Sequence, residues 1–227
     1  MNILIIGGDS DLAGSVSSSL DNQNHNIIKT TRNKNKVNEK NIYFNYKESS
    51  SYGNLINSLR IETFDAVIFF AAIQKGPEYQ SNQLLELDVN QDLDIFTVNA
   101  LGPAKLIELF IFSKILAKNA KILVMSSRAG STSERGLLKH HSPGGDVIYR
   151  ASKSALNNLI KNISFTYKNT DLIIVAIHPG WVRTRSGGEN ADLGVEEAAQ
   201  NIVELLHSLN RQSSGSFLNY DKNSIGW

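Results

Sequence analysis

Tyr149 and Lys153 are the two residues of this sequence best suited to proton transfer. They stand four positions apart in the segment 149–168, whose apolar spacing predicts a helix, so they share one helical face. A free tyrosine has a pKa of about 10, and a neighbouring ammonium lowers that pKa by stabilising the phenolate. Tyr149 is then a candidate proton donor or acceptor near neutral pH. The alternative is an ordinary solvated helix start, which the pair alone does not exclude.

Two further segments place polar groups directly after buried strands. Ser126 and Ser127 follow the apolar run KILVM, where a hydroxyl can polarise a substrate carbonyl, although serine is also common in plain turns. The segment 178–184 (HPGWVRT) follows LIIVAI, and its Pro-Gly turn offers backbone groups to a nicotinamide amide. His178 is a general-base candidate by type, but a structural histidine at a strand end is the more frequent case.

A glycine-containing turn, 7–14 (GGDSDLAG), joins the first predicted strand to the first predicted helix. Glycines allow a tight turn and let a pyrophosphate approach N–H groups at a helix N-terminus. Leu12 stands where a dinucleotide site normally has its middle glycine, so a plain strand–helix turn remains the alternative. At the end of the second strand, Thr30-Thr31-Arg32 has no acidic residue for a ribose diol. This favours NADP(H) over NAD(H), unless Arg32 is simply solvated.

The composition excludes several classes of protein and site. The chain has 227 residues, 41% hydrophobic and 20% charged, with 23 Lys plus Arg, 22 Asp plus Glu and a net charge of +1. This predicts one domain with a proper core and no nucleic-acid-binding surface. The absence of cysteine excludes disulfides and thiol nucleophiles, and we discount a metal at His140-His141 because adjacent residues seldom ligate together. Without a long apolar run or a signal-like start, we expect no membrane contact and a cytoplasmic location.

Short apolar strands alternate with helical patterns along the chain. We predict strands at 2–6, 26–30, 42–44, 66–70, 121–125, 172–177 and 216–220. We predict helices after the glycine turn and at 52–59, 95–118, 149–168 and 195–209. This alternation is typical of a single-domain α/β Rossmann fold over 1–227, a doubly wound parallel sheet of about seven strands with helices on both faces. Such sheets bind ligands at the carboxyl ends of their strands, where the loops with the motifs then meet.

The order and spacing of these segments resemble the short-chain dehydrogenase/reductase (SDR) family over essentially the whole chain. The most specific element is Tyr149-xxx-Lys153, with Ser127 upstream and Asn99 in a segment (NALGP) that is similar to the family's NxxGP element. The C-factor-like branch is resembled most, through SSRAGS, an insert at 131–146, YRASKSALN, HPGWVRTRSGG and the tail SGSFLNYDKNSIGW.

The resemblance implies a role for each matched residue. Tyr149 would be the catalytic acid/base, and Lys153 would hold the nicotinamide ribose and lower the tyrosine pKa. Ser127 would bind the substrate oxygen, and Asn99 would hold a water that links Lys153 to solvent. Asn99, Tyr149 and Lys153 thus also count among the cofactor-binding residues. The other positions implied in cofactor binding are Gly8, Ser10, Asp11, Leu12, Gly14, Arg32, Asn45, Tyr46, Ala71, Ala72, Pro179, Gly180, Val182 and Thr184.

Three departures from the family's pattern concern the cofactor. Leu12 replaces a glycine, and Phe69-Phe70-Ala71-Ala72 stands where the family has NNAG. Asn45 stands where the family has an aspartate at the adenine. These departures predict weakened cofactor affinity rather than altered chemistry, because none of them touches the proton-transfer residues.

The implied function is an NADP(H)-dependent SDR oxidoreductase that interconverts a carbonyl and an alcohol of a small molecule by hydride transfer. The alternative is a cofactor-binding regulatory or cell-signalling protein with little or no turnover. An epimerase is disfavoured, since the chain has no room for a second substrate domain. We expect residues 185–194 to form a mobile substrate lid. The apolar helices 95–118 and 149–168, which the family pairs between subunits, indicate a homodimer or homotetramer.

Overall fold

One parallel sheet carries the fold, and its strands are the short apolar runs of the sequence. The structure is a computed structural model that describes residues 1–60, 62–74, 88–136 and 147–227. Its strands are β1 (Asn2–Ile6), β2 (Asn26–Thr31), β3 (Asn41–Tyr43), β4 (Phe64–Phe69), β5 (Leu116–Met125), β6 (Ile173–His178) and β7 (Phe217–Asn219). All neighbours pair in parallel, in the order β3-β2-β1-β4-β5-β6-β7. Within these described ranges the predicted seven-stranded sheet is confirmed.

Helices cover both faces of this sheet. They are α1 (Asp11–Asp21), α2 (Ser49–Leu59), α3 (Val89–Phe96), α4 (Gly102–Phe112), α5 (Val147–Thr166) and α6 (Val195–Ser208). The helices α1 and α6 bury their apolar stripes in one core cluster, which includes Ile5 of β1. The helices α2, α4 and α5 bury theirs in a second cluster, which includes Leu4. Because neighbouring strand residues point to opposite faces, a sheet covered on both sides needs strands that are apolar throughout.

The helix predicted over 95–118 ends earlier than its apolar spacing suggests. The helix α4 stops at Phe112, and Lys114 then adopts a φ of 58°, a left-handed conformation that no α-helix continues. Leu116 already belongs to β5. The prediction for the final turns was therefore wrong, because a few apolar residues at short spacing fit a buried strand as well as a helix.

The same helical stretch, 89–112, is unusually long and apolar. It joins α3 to α4 through a π-helical turn at Thr97–Leu101. Within the described ranges it is the one helix that is long and apolar enough to cross a membrane by length and composition. More than half of its most apolar window is buried inside the protein, and Leu106 and Phe110 are completely covered. Burial of this kind is typical of a core helix.

The carboxyl ends of the central strands open onto one crevice. The strand order reverses at β1, which lies between β2 and β4, and a doubly wound sheet binds ligands at such a point. Backbone hydrogen bonds hold the loops there in place. The Phe70 N–H donates to the Ile6 carbonyl (2.8 Å), and the Ser126 N–H donates to the Ile177 carbonyl (2.7 Å). The loops that carry the sequence motifs therefore start from a rigid edge.

Candidate active site

A cavity of about 1090 Å³ lies above the carboxyl ends of the strands. Its walls come from the turn after β1, the loops after β4, β5 and β6, the start of α5 and the segment after β7. A cavity of this size is large enough for a small-molecule substrate together with part of a cofactor. Motifs that are more than a hundred residues apart in the sequence thus meet in one place.

The turn between β1 and α1 is shaped by Gly7. Its φ is +84°, and a Cβ at this position would lie 2.7 Å from the Ala71 backbone nitrogen, so only glycine fits. The Gly7 N–H donates to Thr30 Oγ1 (2.9 Å). Ser10 caps α1 by accepting from the Ala13 N–H (3.2 Å). The turn therefore presents the N-terminus of α1 to the cavity, an arrangement that suits a pyrophosphate.

The predicted phosphate-loop residues divide into two groups. Ser10, Asp11 and Leu12 line the cavity. Gly8 and Gly14 are not among the lining residues: a Cβ on Gly8 would meet the Lys29 side chain at 2.9 Å, and one on Gly14 would meet nothing within 4 Å. The family resemblance implied no role for Gly7, yet Gly7 is the glycine that the turn requires.

Two of the departures from the family pattern leave the cavity open. The side chain of Leu12 packs into the core between α1 and the sheet and is only 8% exposed. Ala72 forms part of the cavity wall, and Ala71 lies behind Gly7. Neither Leu12 nor Ala72 fills the space above the strands.

An acidic side chain lies at the end of β2, although β2 itself has none. The carboxylate of Asp9 accepts from the Thr31 hydroxyl (2.9 and 2.8 Å) and from the Arg32 N–H (3.1 Å). Asp9 lines the cavity, whereas the side chain of Arg32 is exposed and lies outside the cavity wall. We did not single out Asp9 from the sequence, and its only signal was an acidic residue inside a glycine turn.

Asn45 and Tyr46 do not reach the cavity. The Asn45 side chain is used locally: its Nδ2 donates to Glu48 Oε1 (2.9 Å), and its Oδ1 accepts from the Lys47 N–H (3.1 Å). The Tyr46 ring is buried against Gly102 and packs edge-on against Phe44. Burial raises the pKa of Tyr46 well above its usual value. The structure thus separates this predicted adenine contact from the other cofactor positions.

Tyr149 and Lys153 both line the cavity from the first turns of α5. The Lys153 ammonium lies 5.8 Å from the centre of the Tyr149 ring and donates to the Met125 carbonyl (2.8 Å). Lys153 is only 2% exposed, and this burial lowers its pKa to about 7. A helical spacing of four, together with the carbonyl at the end of β5, therefore places a buried amine beside a phenol.

The two serines after β5 differ in their environment. Ser126 is buried, and its hydroxyl donates to Asn157 Oδ1 (2.5 Å), so it serves the packing of α5 on the sheet. Ser127 also lines the cavity, and its Oγ accepts from the Ala129 N–H (3.1 Å). Since that oxygen acts as acceptor there, its own proton can be donated to a ligand.

Asn99 is completely buried in the π-helical turn. Its Oδ1 accepts from the Ile73 N–H (2.8 Å), while its Nδ2 donates to the Ile73 carbonyl (2.7 Å) and to Ser152 Oγ (3.0 Å). The amide thus joins the loop after β4 to the helix that carries Tyr149. The side chain positions two walls of the cavity, a function that the sequence had not suggested.

The segment after β6 supplies another wall of the cavity. Its lining residues include the predicted nicotinamide contacts Pro179, Gly180, Val182 and Thr184. Gly180 has a φ of +90° and no space for a Cβ against Leu193. This turn is therefore as dependent on glycine as the one after β1.

The predicted lid, 185–194, begins as an exposed loop and ends as a fixed one. The Trp181 indole N–H donates to the Gly187 carbonyl (2.8 Å), and the Arg183 guanidinium donates to the Ala191 carbonyl (2.8 Å). Ala191 and Leu193 are buried. Residues 185, 186 and 187 line the cavity, so this part of the loop forms part of its wall.

Other predicted features lie elsewhere. His140-His141 and most of the insert 131–146 lie outside the described residues. Among those that are described, no group of three or more acidic or histidine side chains is placed to hold a metal ion. Asn219, the last residue of β7, and Tyr220 and Asp221 directly after it line the cavity and were not predicted.

Comparison with known proteins gives a consistent assignment. A family model described as short chain dehydrogenase matches residues 1–192. The chain is 30% identical over 132 residues to a protein named C-signal from Myxococcus xanthus, covering 58% of this chain and 76% of that one. It is 29% identical over 134 residues to 1-hydroxy-2-glutathionyl-2-methyl-3-butene dehydrogenase from Rhodococcus sp. strain AD45, covering 57% of this chain and 56% of that one.

Solved structures share the fold over the full length of this chain. The carbonyl reductase Sniffer of D. melanogaster has a TM-score of 0.86 at 24% identity, with coverage of 100% of this chain and 99% of that one. An NADPH-bound carbonyl reductase from chicken fatty liver has a TM-score of 0.84 at 23% identity, with coverage of 100% and 98%.

Proposed function

Because the chain belongs to the short-chain dehydrogenase family and is an NAD(P)-dependent oxidoreductase, we propose that it interconverts a carbonyl and an alcohol on a small molecule. The observation that carries this proposal is the buried Lys153 ammonium, 5.8 Å from the Tyr149 ring, in a cavity that Ser127 also lines. Proton transfer to a carbonyl oxygen needs a positioned acid and a group that stabilises its conjugate base, and this arrangement supplies both.

The residues present fit a nicotinamide dinucleotide. Gly7 and Gly180 are both glycines that the local geometry requires: Gly7 lets the turn after β1 lie against Ala71, and Gly180 lets the turn after β6 lie against the Leu193 side chain. Between them the N-terminus of α1 faces the space where a pyrophosphate would lie, and Lys153 would hold the ribose next to the nicotinamide. When bound, the dinucleotide supplies or accepts the hydride.

The protein's own residues then handle the oxygen and its proton. In the reductive direction, the hydroxyls of Ser127 and Tyr149 both donate to the carbonyl oxygen, which places donors where negative charge develops. Tyr149 gives up its proton as the oxygen becomes an alcohol, and the Lys153 ammonium stabilises the phenolate that remains. Asn99 holds the loop after β4 and the start of α5 together through its hydrogen bonds to Ile73 and Ser152. A water held near Asn99 as a proton relay is part of the proposal.

The choice between the two dinucleotides is a separate question. The sequence predicts NADP(H) because Arg32 follows β2, and the chicken carbonyl reductase structure contains NADPH. In this chain the Arg32 side chain lies outside the cavity wall, whereas Asp9 lines it.

A dinucleotide-binding regulatory or signalling protein with little turnover is the second candidate function. The 30% identity to the Myxococcus xanthus C-signal favours it. A panel of aldehydes and ketones, assayed by the oxidation of NADH and NADPH, separates the two candidates. We expect turnover of at least one carbonyl. Dinucleotide binding, seen as enhanced nicotinamide fluorescence, without turnover of any of them would favour the regulatory function.

Assembly into a homodimer or homotetramer remains a proposal as well. The two helices expected to pair between subunits, 95–118 and 149–168, expose the large apolar side chains of Leu101, Phe112 and Phe165. Val89 and Leu93 are exposed as well, on the preceding turns of α3. Apolar area of this kind favours association. Light scattering coupled to gel filtration tests this, since a monomer mass would contradict the proposal. We likewise propose a cytoplasmic location.

A further inference from the structure

We propose that Asp9 is the residue that selects the cofactor, and that it selects NAD(H) by binding the adenosine ribose diol and repelling a 2′-phosphate. This inference rests on the proposed function, because it concerns the same dinucleotide site. It reverses the preference that Arg32 predicts from the sequence alone.

The Asp9 carboxylate lies at the end of β2, where dinucleotide-binding folds place an acidic residue. In dinucleotide-binding folds an acidic residue at the end of the second strand accepts hydrogen bonds from the ribose hydroxyls. Here the end of β2 is Thr31, which has no charge. The Asp9 carboxylate is hydrogen-bonded to the Thr31 hydroxyl (2.9 and 2.8 Å) and to the Arg32 N–H (3.1 Å). A carboxylate therefore lies where the fold needs one, although the turn after β1 supplies it.

The Asp9 carboxylate has acceptor capacity left for a ligand. A carboxylate has about four lone-pair sites on its two oxygens. The single Thr31 proton is shared between both oxygens, and the Arg32 N–H occupies a site on Oδ2. Sites on both oxygens remain for the two hydroxyls of a diol. A phosphate at the 2′ position is mostly a dianion at pH 7, and the dianion has acceptor oxygens only, so it has nothing to donate to Asp9.

The acidic side chains at this end of the cavity disfavour a 2′-phosphate. A phosphate monoester has a charge of about −1.5 to −2 at pH 7. Asp9 and Asp11 both line the cavity there, so a 2′-phosphate would face two carboxylates. Lys36 approaches Asp9 at 3.7 Å, but both side chains are partly or largely exposed, at 62% and 36%. Solvent screens such a pair, so Lys36 does not cancel the charge of Asp9.

Arg32 is the obvious opposing group. Its backbone is fixed by the bond from its N–H to Asp9, but its side chain is exposed and outside the cavity wall. A guanidinium that binds a phosphate well does so in a held, bidentate geometry. At this end of the cavity the charged group fixed by hydrogen bonds is the Asp9 carboxylate. We therefore expect its negative charge to decide the preference between NAD(H) and NADP(H).

Equilibrium titration of the full chain with NADH and with NADPH, followed by nicotinamide fluorescence, tests the inference without relying on turnover. The wild-type protein should bind NADH more tightly than NADPH by about tenfold or more, the effect of one hydrogen bond to a charged group. Asp9→Asn should weaken the binding of NADH and strengthen the binding of NADPH. The ratio of the two dissociation constants should then approach one or reverse. Thr31→Val should shift the ratio the same way but less, since it releases the carboxylate without removing its charge.

Asp21→Asn is the matched control, because Asp21 is an exposed aspartate at the far end of α1, the helix that follows the turn with Asp9. It makes the same change in net charge and should leave the ratio unchanged. Wild-type protein that binds NADPH as tightly as NADH would overturn the inference, as would an unchanged ratio in a folded Asp9→Asn variant. If that variant does not fold, the wild-type ratio decides alone. Binding of neither dinucleotide would instead overturn the proposed function.

Discussion

The ammonium of Lys153 lies 5.8 Å from the centre of the Tyr149 ring, one helical turn away on α5. The carbonyl of Met125, at the end of β5, accepts a hydrogen bond from this ammonium and fixes its position. The arrangement is costly to the fold, because burial lowers the lysine pKa from 10.5 to about 7. Strongly perturbed groups in a cavity are typical of functional sites, since packing alone would favour an apolar side chain.

Replacing Lys153 with methionine should therefore stabilise the protein while abolishing its activity. A lysine whose pKa falls this far on folding destabilises the native state by about 5 kcal/mol below pH 7. Loss of the bond to Met125 offsets part of this, so we expect a net gain of about 1–4 kcal/mol in the free energy of unfolding. Urea denaturation at pH 6.5 measures it, and a less stable variant would contradict the expected cost.

The stability difference between Lys153→Met and the wild type should also depend on pH. Below pH 7 the lysine is charged in both the folded and unfolded states, so its cost is fully present. Above about 7 the folded state releases its proton first, and the cost shrinks as the pH rises towards 10.5. Lys161→Met is the matched control, because Lys161 lies on the same helix and also donates to a carbonyl, but is exposed. If the stability difference between Lys161→Met and the wild type depended on pH just as strongly, burial of Lys153 would not explain the effect.

Gly7→Ala should destabilise the protein by about 1–3 kcal/mol and greatly weaken dinucleotide binding. The φ of +84° is strained for alanine, and its Cβ would be forced against the Ala71 backbone. Gly53→Ala is the control: Gly53 lies in α2 with nothing within 4 Å of a new Cβ, so the same change should stabilise by about 0.5–1 kcal/mol. Thermal unfolding of both variants measures this, and equal effects would mean that Gly7 is not required by geometry.

A bound dinucleotide should slow tryptic cleavage after Arg185, in the exposed part of the predicted lid. Arg185 is exposed and lines the cavity, and a lid that closes over a ligand becomes less accessible to a protease. Arg211, exposed in the turn after α6, serves as the internal control site and should be cleaved at an unchanged rate. Equal cleavage after Arg185 with and without the dinucleotide would count against a lid.

The sheet was predictable from the sequence because its physical cause is local. A strand buried on both faces must be apolar throughout, and runs such as NILII and LIIVAI show this without any knowledge of their neighbours. Tyr149 and Lys153 were predictable for the same reason, since a helical spacing of four places them together. The end of α4 was not, because the left-handed Lys114 that stops the helix leaves no compositional signal.

Parts of the candidate site depend on contacts between distant segments, and the sequence did not reveal them. The relation of Asp9 to Thr31 requires the parallel pairing of β1 with β2, which brings residues 22 positions apart into contact. The two hydrogen bonds between the Asn99 side-chain amide and the Ile73 backbone likewise depend on how a helix packs against a loop. The Tyr46 ring packs against Phe44 and away from the cavity, which the motif did not reveal because a motif position indicates where the backbone lies and says little about where the ring packs.

The turnover of Tyr149→Phe is the measurement that tests the account most directly. This change removes one hydroxyl and leaves the ring beside Lys153, so the fold and the dinucleotide site should persist. We predict that kcat for the reduction of a carbonyl falls by about 10²-fold or more. We also predict that the Kd for the reduced dinucleotide, read by fluorescence, stays within about threefold of the wild-type value. Wild-type turnover in this variant would contradict the assignment of Tyr149 as the proton donor.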